Sequence, residues 1–188
     1  MIKQDFKIVA IGSSAGGLEP LREIISMLPN PCPSAVILVP HLLKDKESKL
    51  SAILARETNI NIIKVLEDTS VEPGNIYVLG EGKSMGISNN RLVLYEQSEK
   101  INRAIDIFFI ALAQDAGSRA TGVILSGGGY DGIEGAKAIE SKGGIIIVQD
   151  PKTAQFPLMP DSLIKNDHPD FVLSPAQIAE KLNKIICV

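Results

Sequence analysis

The sequence predicts an α/β fold: a doubly wound, mostly parallel sheet with helices on both faces and an antiparallel hairpin at one edge. Short, almost continuously apolar runs alternate with amphipathic stretches along the chain. Nearly continuous apolar strands are typical of a parallel sheet that is covered on both faces. The stretch "SMGISNNRLVLYE" (84–96) instead turns at Asn89-Asn90, which indicates a hairpin. No linker or repeat divides the 188 residues, so we expect one domain, 1–188.

The strands are predicted from runs of apolar and β-branched residues. The first, "FKIVAIG" (6–12), stops at Gly12 as a buried strand does. The next, "AVILVPH" (35–41), follows the chain-breaking "NPCP" and ends at a histidine. By the same criterion, the further strands are predicted at 60–65, 76–80, 121–126, 145–150 and 170–174.

The helices are predicted from apolar residues at helical spacing. From Gly17 onward, Leu18, Leu21, Ile25 and Leu28 recur in this way. The stretch 104–117 ends at Gly117 as a C-cap would, and Ser174 before Pro175 is a good N-cap for the last helix. Further helices are predicted at 47–57, at 131–144, and in a short segment after the proline-rich loop 151–160.

Composition excludes several classes of function. The net charge is −3 and Trp is absent, so nothing favours a nucleic-acid or anionic-membrane surface. Cys32 and Cys187 form neither a metal-ligand spacing nor a disulfide framework, which suits a reducing cytoplasm. No apolar run approaches membrane-spanning length, and no secretory signal opens the chain. We therefore expect a cytoplasmic protein without a metal site or membrane insertion.

The carboxyl ends of the predicted strands carry the residues with chemical potential. In open α/β sheets, ligands bind beyond these ends, where the strand order reverses. Ser13 and Ser14 follow the first strand and His41 ends the second, while Asp131 and Asp150 follow two later strands. These are the parts of a Ser-His-Asp site, provided that the chain brings them together.

Ser14 is the predicted nucleophile. The stretch from Gly12 to Gly16 fits G-x-S-x-G, a sharp strand-to-helix turn that exposes a serine oxygen. The alternative is that Ser13 and Ser14 both cap the following helix; Ser13 alone could do so and leave Ser14 for chemistry. The α/β-hydrolase fold does not fit, because its chain order is Ser, Asp or Glu, then His, whereas the order here is Ser14, His41, Asp131.

His41 and Asp131 are the predicted base and its orienting acid. Imidazole is the usual base of serine hydrolases, and the sequence offers only His41 and His168. His168 lies in the polar stretch "KNDHPD", whereas His41 ends a strand; its alternative role is a backbone-bonded strand end. Asp131 would hold the imidazole Nδ1–H, or simply favour the dipole of the helix that it precedes.

A dinucleotide site is the rival interpretation. Gly127, Gly129 and Gly132 satisfy G-x-G-x-x-G between a strand and a helix, and Asp150 ends the next strand as a ribose-binding acid would. Dinucleotide binding, however, leaves His41 without a role. Asp131 within the loop would also repel a pyrophosphate.

Several stretches together resemble one known family. The sequence is similar to the catalytic domain of the CheB-type chemotaxis protein-glutamate methylesterases over essentially its whole length. The matching stretches include "AIGSSAGGLEPLREIISMLP", "AVILVPHLL", "AIDIFFIALAQDAG" and "TGVILSGGGYDGIEGAKAIESKGGIIIVQDP". The resemblance implies a doubly wound α/β domain whose catalytic serine, histidine and aspartate are Ser14, His41 and Asp131.

The resemblance also implies the reaction. Members hydrolyse the γ-methyl ester of glutamate on the helical cytoplasmic part of chemoreceptors, and many deamidate glutamines. We therefore expect a methylated chemoreceptor cytoplasmic domain, or a similar helical protein, as partner, and no cofactor. The oxyanion candidates are the backbone N–H groups of Ala15, Gly16 and Gly128, and the cleft is expected to be lined by Ser13, Tyr130 and Met159.

The sequence departs from the family pattern in three places. Typical members carry an N-terminal receiver domain, whereas this sequence begins at the catalytic domain, which leaves regulation to a receiver or a methyltransferase acting in trans. Ala15 stands where Thr is frequent, and Gly128 stands where a bulkier residue is usual. Tyr130 replaces a small polar residue and would narrow the cleft. A non-catalytic receptor-binding module is the third interpretation.

Overall fold

A seven-stranded parallel sheet forms the centre of the computed structural model, which describes residues 6–97 and 103–187. The chain passes from the central strand to one side of the sheet and returns later to its other side. The strands are β1 (Ile8–Ser13), β2 (Ala35–Pro40), β3 (Asn61–Val65), β5 (Asn75–Leu79), β8 (Ala120–Ile124), β9 (Ile145–Gln149) and β10 (Phe171–Leu173). Their order is β10-β9-β8-β1-β2-β5-β3, so the direction of winding reverses between β1 and β8.

A second, three-stranded antiparallel sheet holds the predicted hairpin. Its strands, β4 (Thr69–Ser70), β6 (Lys83–Ser88) and β7 (Arg91–Glu96), lie in the order β4-β7-β6. Asn89 and Asn90 both have positive φ, 53° and 55°, as the predicted two-residue turn requires. The hairpin is confirmed, but it pairs with β4 and not with an edge of the main sheet. Met85, Ile87 and Leu92 of this sheet belong to the same core cluster as Phe108, which explains why it lies over one face.

Helices cover both faces of the main sheet, as predicted. They are α1 (Leu18–Ser26), α2 (Leu50–Leu54), α3 (Ala104–Ala116), α4 (Ile133–Ser141), α5 (Leu158–Asn166) and α6 (Pro175–Ile186). Alternate residues of β1 separate two cores: Ile8 packs with α3, α4 and α5, whereas Val9 packs with α1, α2 and α6. Within the described residues, no helix is both long enough and apolar enough to cross a bilayer.

The helix boundaries follow local capping. Ser174 caps α6 in a full capping box with Gln177, and Gly117 ends α3 with φ 56°, both as predicted. The helix expected at 47–57 is shorter, Leu50–Leu54. Ser48 explains the late start, because its backbone N–H donates to Glu81 Oε1 and its hydroxyl accepts from the N–H of Leu50.

Neighbouring carboxyl groups at the ends of α4 and α5 give the fold a pH dependence. Burial and the neighbouring carboxyl of Asp167 raise the pKa of Glu140 to about 7. The folded protein therefore retains a proton that the unfolded chain loses near pH 4.5, so stability falls as pH rises from about 4.5 to 7.

Replacing Glu140 with Gln removes this titration. We expect Glu140→Gln to raise the free energy of unfolding at pH 8 by about 1 kcal/mol, because the pair is partly open to solvent. At pH 4 the substitution has little effect, since Glu140 is then protonated in both states. Urea unfolding at the two pH values measures the difference, with Glu134→Gln on the same helix as control. Equal changes at both pH values would contradict the assignment.

Candidate active site

The ends of β1 and β2 bring Ser14 and His41 to the same edge of the sheet. Ser13 pairs with Pro40 in the parallel register, and the N–H of His41 donates to Ser13 O over 2.9 Å. Ser14 and His41 are therefore the first residues beyond two adjacent strands. The N–H of Ser14 donates in turn to Ser126 O at 3.0 Å, which attaches it to the end of β8 and places it where the winding reverses.

A tight turn presents Ser14. The N–H of Gly17 donates to Ser14 O over 3.0 Å, which closes a four-residue turn, and Gly16 at its third position has φ +73°. A Cβ on Gly16 would also lie 2.7 Å from Ser126 Oγ, which itself donates to Ala15 O at 2.8 Å. The glycine is therefore required both by its dihedral angle and by the close approach of Ser126.

Neither serine caps α1, contrary to the alternative considered from the sequence. Gly17 is the N-cap of α1, and no side chain accepts a hydrogen bond there. Ser13 is 2% exposed, and its Cβ would lie 2.6 Å from a Cβ built on Gly17. The prediction that Ser13 lines the cleft is thus corrected: its side chain is packed beneath the turn.

Asp131 is held by three donors. It is 8% exposed, and its Oδ2 lies 2.7 Å from His41 Nε2. The N–H of Ile105 donates to Oδ2, and the N–H of Asp106 to Oδ1, each at 2.9 Å. Asp131 therefore caps the first turn of α3, although it directly precedes α4 in sequence.

The histidine–aspartate contact also fixes the tautomer of the ring. A carboxylate only accepts hydrogen bonds, so the ring proton lies on Nε2 and leaves Nδ1 as the acceptor. The sequence analysis expected Asp131 to hold Nδ1–H, so the two ring nitrogens exchange the roles that were predicted for them.

The site residues line a common cavity of about 640 Å³. Among the hydrogen bonds of the described residues there is none between Ser14 Oγ and His41, a contact that commonly tightens only when substrate binds. The lining residues are Ser14, Ala15, His41, Arg103, Asp106, Gly128, Gly129, Tyr130, Asp131, Ile133, Glu134, Lys137 and Asn166.

The other predicted site residues divide into two groups. Ala15 and Gly128 line the cavity, and in the described part of the chain their N–H groups donate to no acceptor. Tyr130 is 66% exposed at the same cavity. Gly16 lies within the turn but not in the cavity wall. The prediction that Met159 lines the cleft is wrong. Its side chain is buried beneath the site, where its Cε would lie 2.6 Å from a Cβ built on Gly127.

The sequence analysis did not single out three residues that shape the site: Arg103, Asp106 and Ser126. Asp106 is buried at the first turn of α3, and its Oδ2 accepts from Arg103 Nη2 at 2.9 Å. Ser126, fully buried, binds the turn after Ser14 and accepts from the N–H of Phe156 at 3.0 Å. An aspartate in the first turn of a helix that is apolar from Ile107 to Ala113 was the available signal for Asp106.

The rival interpretations find less support. The glycine-rich loop 127–132 lines the same cavity as His41, whereas Asp150 lies outside its wall and accepts a hydrogen bond from the N–H of Lys152. A ribose-binding role for Asp150 beside this loop is therefore not favoured. Among residues 6–97 and 103–187, no group of three or more histidine, cysteine and acidic residues could hold a metal ion.

Comparisons with known proteins show which family the chain resembles in sequence. A family model described as CheB methylesterase matches residues 9–182. A protein of Leptospira interrogans is 31% identical over 179 residues, which are 94% of this chain and 93% of that protein. The protein-glutamate methylesterase/protein-glutamine glutaminase of Thermotoga maritima is 31% identical over 96% of this chain and 54% of its own length.

The fold is shared with a solved structure as well. The crystal structure of the Thermotoga maritima CheB methylesterase catalytic domain superimposes with a TM-score of 0.88 at 31% identity. The match covers 96% of this chain and 99% of that domain. The predicted α/β fold and the predicted resemblance are both confirmed, and the chain belongs to the CheB methylesterase family.

Proposed function

We propose that this protein is a serine hydrolase that removes the γ-methyl ester from glutamate side chains of a methylated chemoreceptor or a similar helical protein. The observation that carries the proposal is the 2.7 Å contact of His41 Nε2 with a buried aspartate, in a cavity that also contains Ser14. Family membership supports the same activity.

In the proposed first step, Ser14 Oγ attacks the carbonyl carbon of the ester. His41 Nδ1, which carries no proton in the tautomer fixed by Asp131, takes the hydroxyl proton as the new O–C bond forms. The bond to the methoxy group then breaks, and the imidazolium returns the proton to give methanol. The side chain of Asp131, held by two backbone N–H groups, stabilises the transient positive charge on the ring.

In the second step, water attacks the acyl-serine. His41 removes one proton from the water, the carbonyl–Oγ bond breaks, and the proton passes to Ser14. The acyl group leaves as a carboxylic acid, which releases its proton to solvent, so that the products are the glutamate carboxylate and the free serine. In both steps negative charge develops on the carbonyl oxygen, and we assign its stabilisation to the N–H groups of Ala15 and Gly128, which line the cavity.

The same residues can hydrolyse a glutamine side chain, with ammonia in place of methanol as the leaving group. Glutaminase activity is therefore the second candidate, and it is favoured because the Thermotoga maritima relative is a protein-glutamate methylesterase/protein-glutamine glutaminase. Both reactions need water and no cofactor. The cytoplasm is the proposed location, which suits the two unpaired cysteines, Cys32 and Cys187.

The deciding experiment measures methanol release from a methylated chemoreceptor cytoplasmic fragment. We expect the protein to release methanol and also to bind a fluorophosphonate probe covalently at Ser14. Labelling without methanol release would show that the protein is a serine hydrolase whose substrate is a different ester. Binding of the receptor with neither labelling nor turnover would overturn the proposal in favour of a receptor-binding module.

A further inference from the structure

Two buried aspartates cap each other's helices at the back of the cavity. Asp131, which precedes α4, accepts the N–H groups of Ile105 and Asp106 in the first turn of α3. Asp106 accepts in return, through Oδ1, the N–H of Gly132 at 3.1 Å and that of Gly135 at 2.8 Å, at the start of α4. Each carboxylate thus satisfies donors that the other helix leaves unpaired.

Close packing makes this reciprocal arrangement rigid. A Cβ on Gly135 would lie 2.4 Å from Phe109 Cβ and 3.2 Å from Asp106 Cα, so the starts of the two helices are in direct contact. Gly132, the residue directly after Asp131, has φ 101° and is fixed by Asp106 Oδ1. Asp106 therefore anchors the backbone on the C-terminal side of Asp131.

The second oxygen of Asp106 is also occupied. Oδ2 accepts from Arg103 Nη2 at 2.9 Å, and the Arg103 side chain is half exposed at the cavity. Asp106 is itself 4% exposed. A carboxylate this deeply buried stays in one orientation because its Oδ1 accepts from two backbone N–H groups and its Oδ2 from a charged guanidinium.

We propose that Asp106 is a positioning residue: through Gly132 and the first turn of α3, it orients the Asp131 carboxylate toward His41 Nε2. This role rests on the proposed function, since Asp131 matters only if His41 acts as a base. It assigns Asp106 no contact with the reacting atoms. Without the Oδ1 acceptor, Gly132 and Gly135 lose their anchor, and Asp131 can rotate away from the ring.

The first test compares kinetic effects in two backgrounds. We expect Asp106→Ala to lower kcat roughly 10- to 100-fold with little change in KM, as a small misplacement of a reacting group does. Asp106→Asn keeps an acceptor at Oδ1 and should recover most of this loss. In an Asp131→Asn background, Asp106→Ala should cost less than about 3-fold, because residues that act through one another are not additive. An equal loss in both backgrounds would overturn the proposal.

The second test does not depend on turnover. Nitrogen NMR of the imidazole rings reports the tautomer of His41, and His168, the other histidine of the chain, is an internal reference. We expect Asp106→Ala to mix the His41 tautomers, whereas the unsubstituted protein keeps the proton on Nε2. An unchanged His41 spectrum in folded Asp106→Ala would refute the positioning role, even if the proposed esterase activity had failed.

A matched control separates positioning from stability. Asp115, at the opposite end of α3, also accepts two backbone N–H groups, from Asn89 at 2.7 Å and from Asn90 at 3.2 Å. Asp115→Ala should lower the unfolding temperature without changing kcat or the His41 spectrum. If Asp106→Ala does not fold, Asp106→Ser, whose hydroxyl can accept one of the two bonds, is measured in its place, and the same two readouts decide.

Discussion

Ser14→Ala is expected to lower kcat for methyl-ester hydrolysis by roughly 10⁴-fold or more, the loss typical of a missing nucleophile. The reason is that no acyl-serine can form. Only binding of the substrate in the cavity and the N–H groups of Ala15 and Gly128 then remain to accelerate hydrolysis. The fold should be unaffected, because the hydroxyl of Ser14 forms no hydrogen bond with any residue that the structure describes. We expect the free energy of unfolding to change by less than about 0.5 kcal/mol.

Methanol release from the methylated receptor fragment measures this loss, with circular dichroism to verify folding. Ser13→Ala is the matched control, since it removes the same atom from the adjacent, buried residue. We expect that variant to keep most of the activity. If Ser13→Ala were the inactive variant and Ser14→Ala the active one, the nucleophile would be Ser13 and the role of the turn would have to be revised.

The sequence was informative where function depends on strand ends. Apolar runs located β1, β2 and β8, and parallel strands meet with their carboxyl ends at one edge. Ser14, His41 and Asp131 could therefore be predicted as neighbours although they are far apart in sequence. In the structure, these three residues line one cavity, so they are neighbours in space. Their catalytic roles remain the proposal that the variants test.

The sequence could not reveal which helix or loop each of the site side chains would contact. The acceptor role of Asp131 at α3 joins residues 25 and 26 positions apart, and no local pattern shows such a pairing. Met159 was expected at the cleft from the family resemblance, but the absence of a side chain at Gly127 lets it pack below the site. The two-residue strand β4 is likewise too short to produce an alternating pattern, so its pairing with the predicted hairpin was missed.

Asp131→Asn should be the most informative of the conservative substitutions. Oδ2 accepts from both His41 Nε2 and the N–H of Ile105, and Oδ1 accepts from the N–H of Asp106. An asparagine amide replaces one of these oxygens with a donor, so either orientation of the amide places donor against donor. We expect a free-energy loss of about 1–3 kcal/mol from the unpaired N–H groups.

The kinetic loss should be larger than the loss of stability suggests. With the amide NH₂ toward the ring, His41 is driven to the Nδ1–H tautomer, and Nδ1 can no longer take the proton of Ser14. We expect kcat to fall by roughly 10³- to 10⁴-fold, as an aspartate-to-asparagine change does when it reverses the tautomer of a catalytic histidine.

Asp150→Asn provides the comparison, because Asp150 also follows a strand of the same sheet, but within the described residues its carboxylate accepts only from the N–H of Lys152. We expect that variant to keep its activity and to lose at most a little stability. Nitrogen NMR of His41 in Asp131→Asn, measured together with kcat, tests this assignment. A ring proton on Nδ1 with a low kcat supports orientation by the carboxylate, whereas a ring proton that stays on Nε2, or a normal kcat, would contradict it. The orienting role of the Asp131 carboxylate therefore requires that the ring proton of His41 move from Nε2 to Nδ1 in Asp131→Asn.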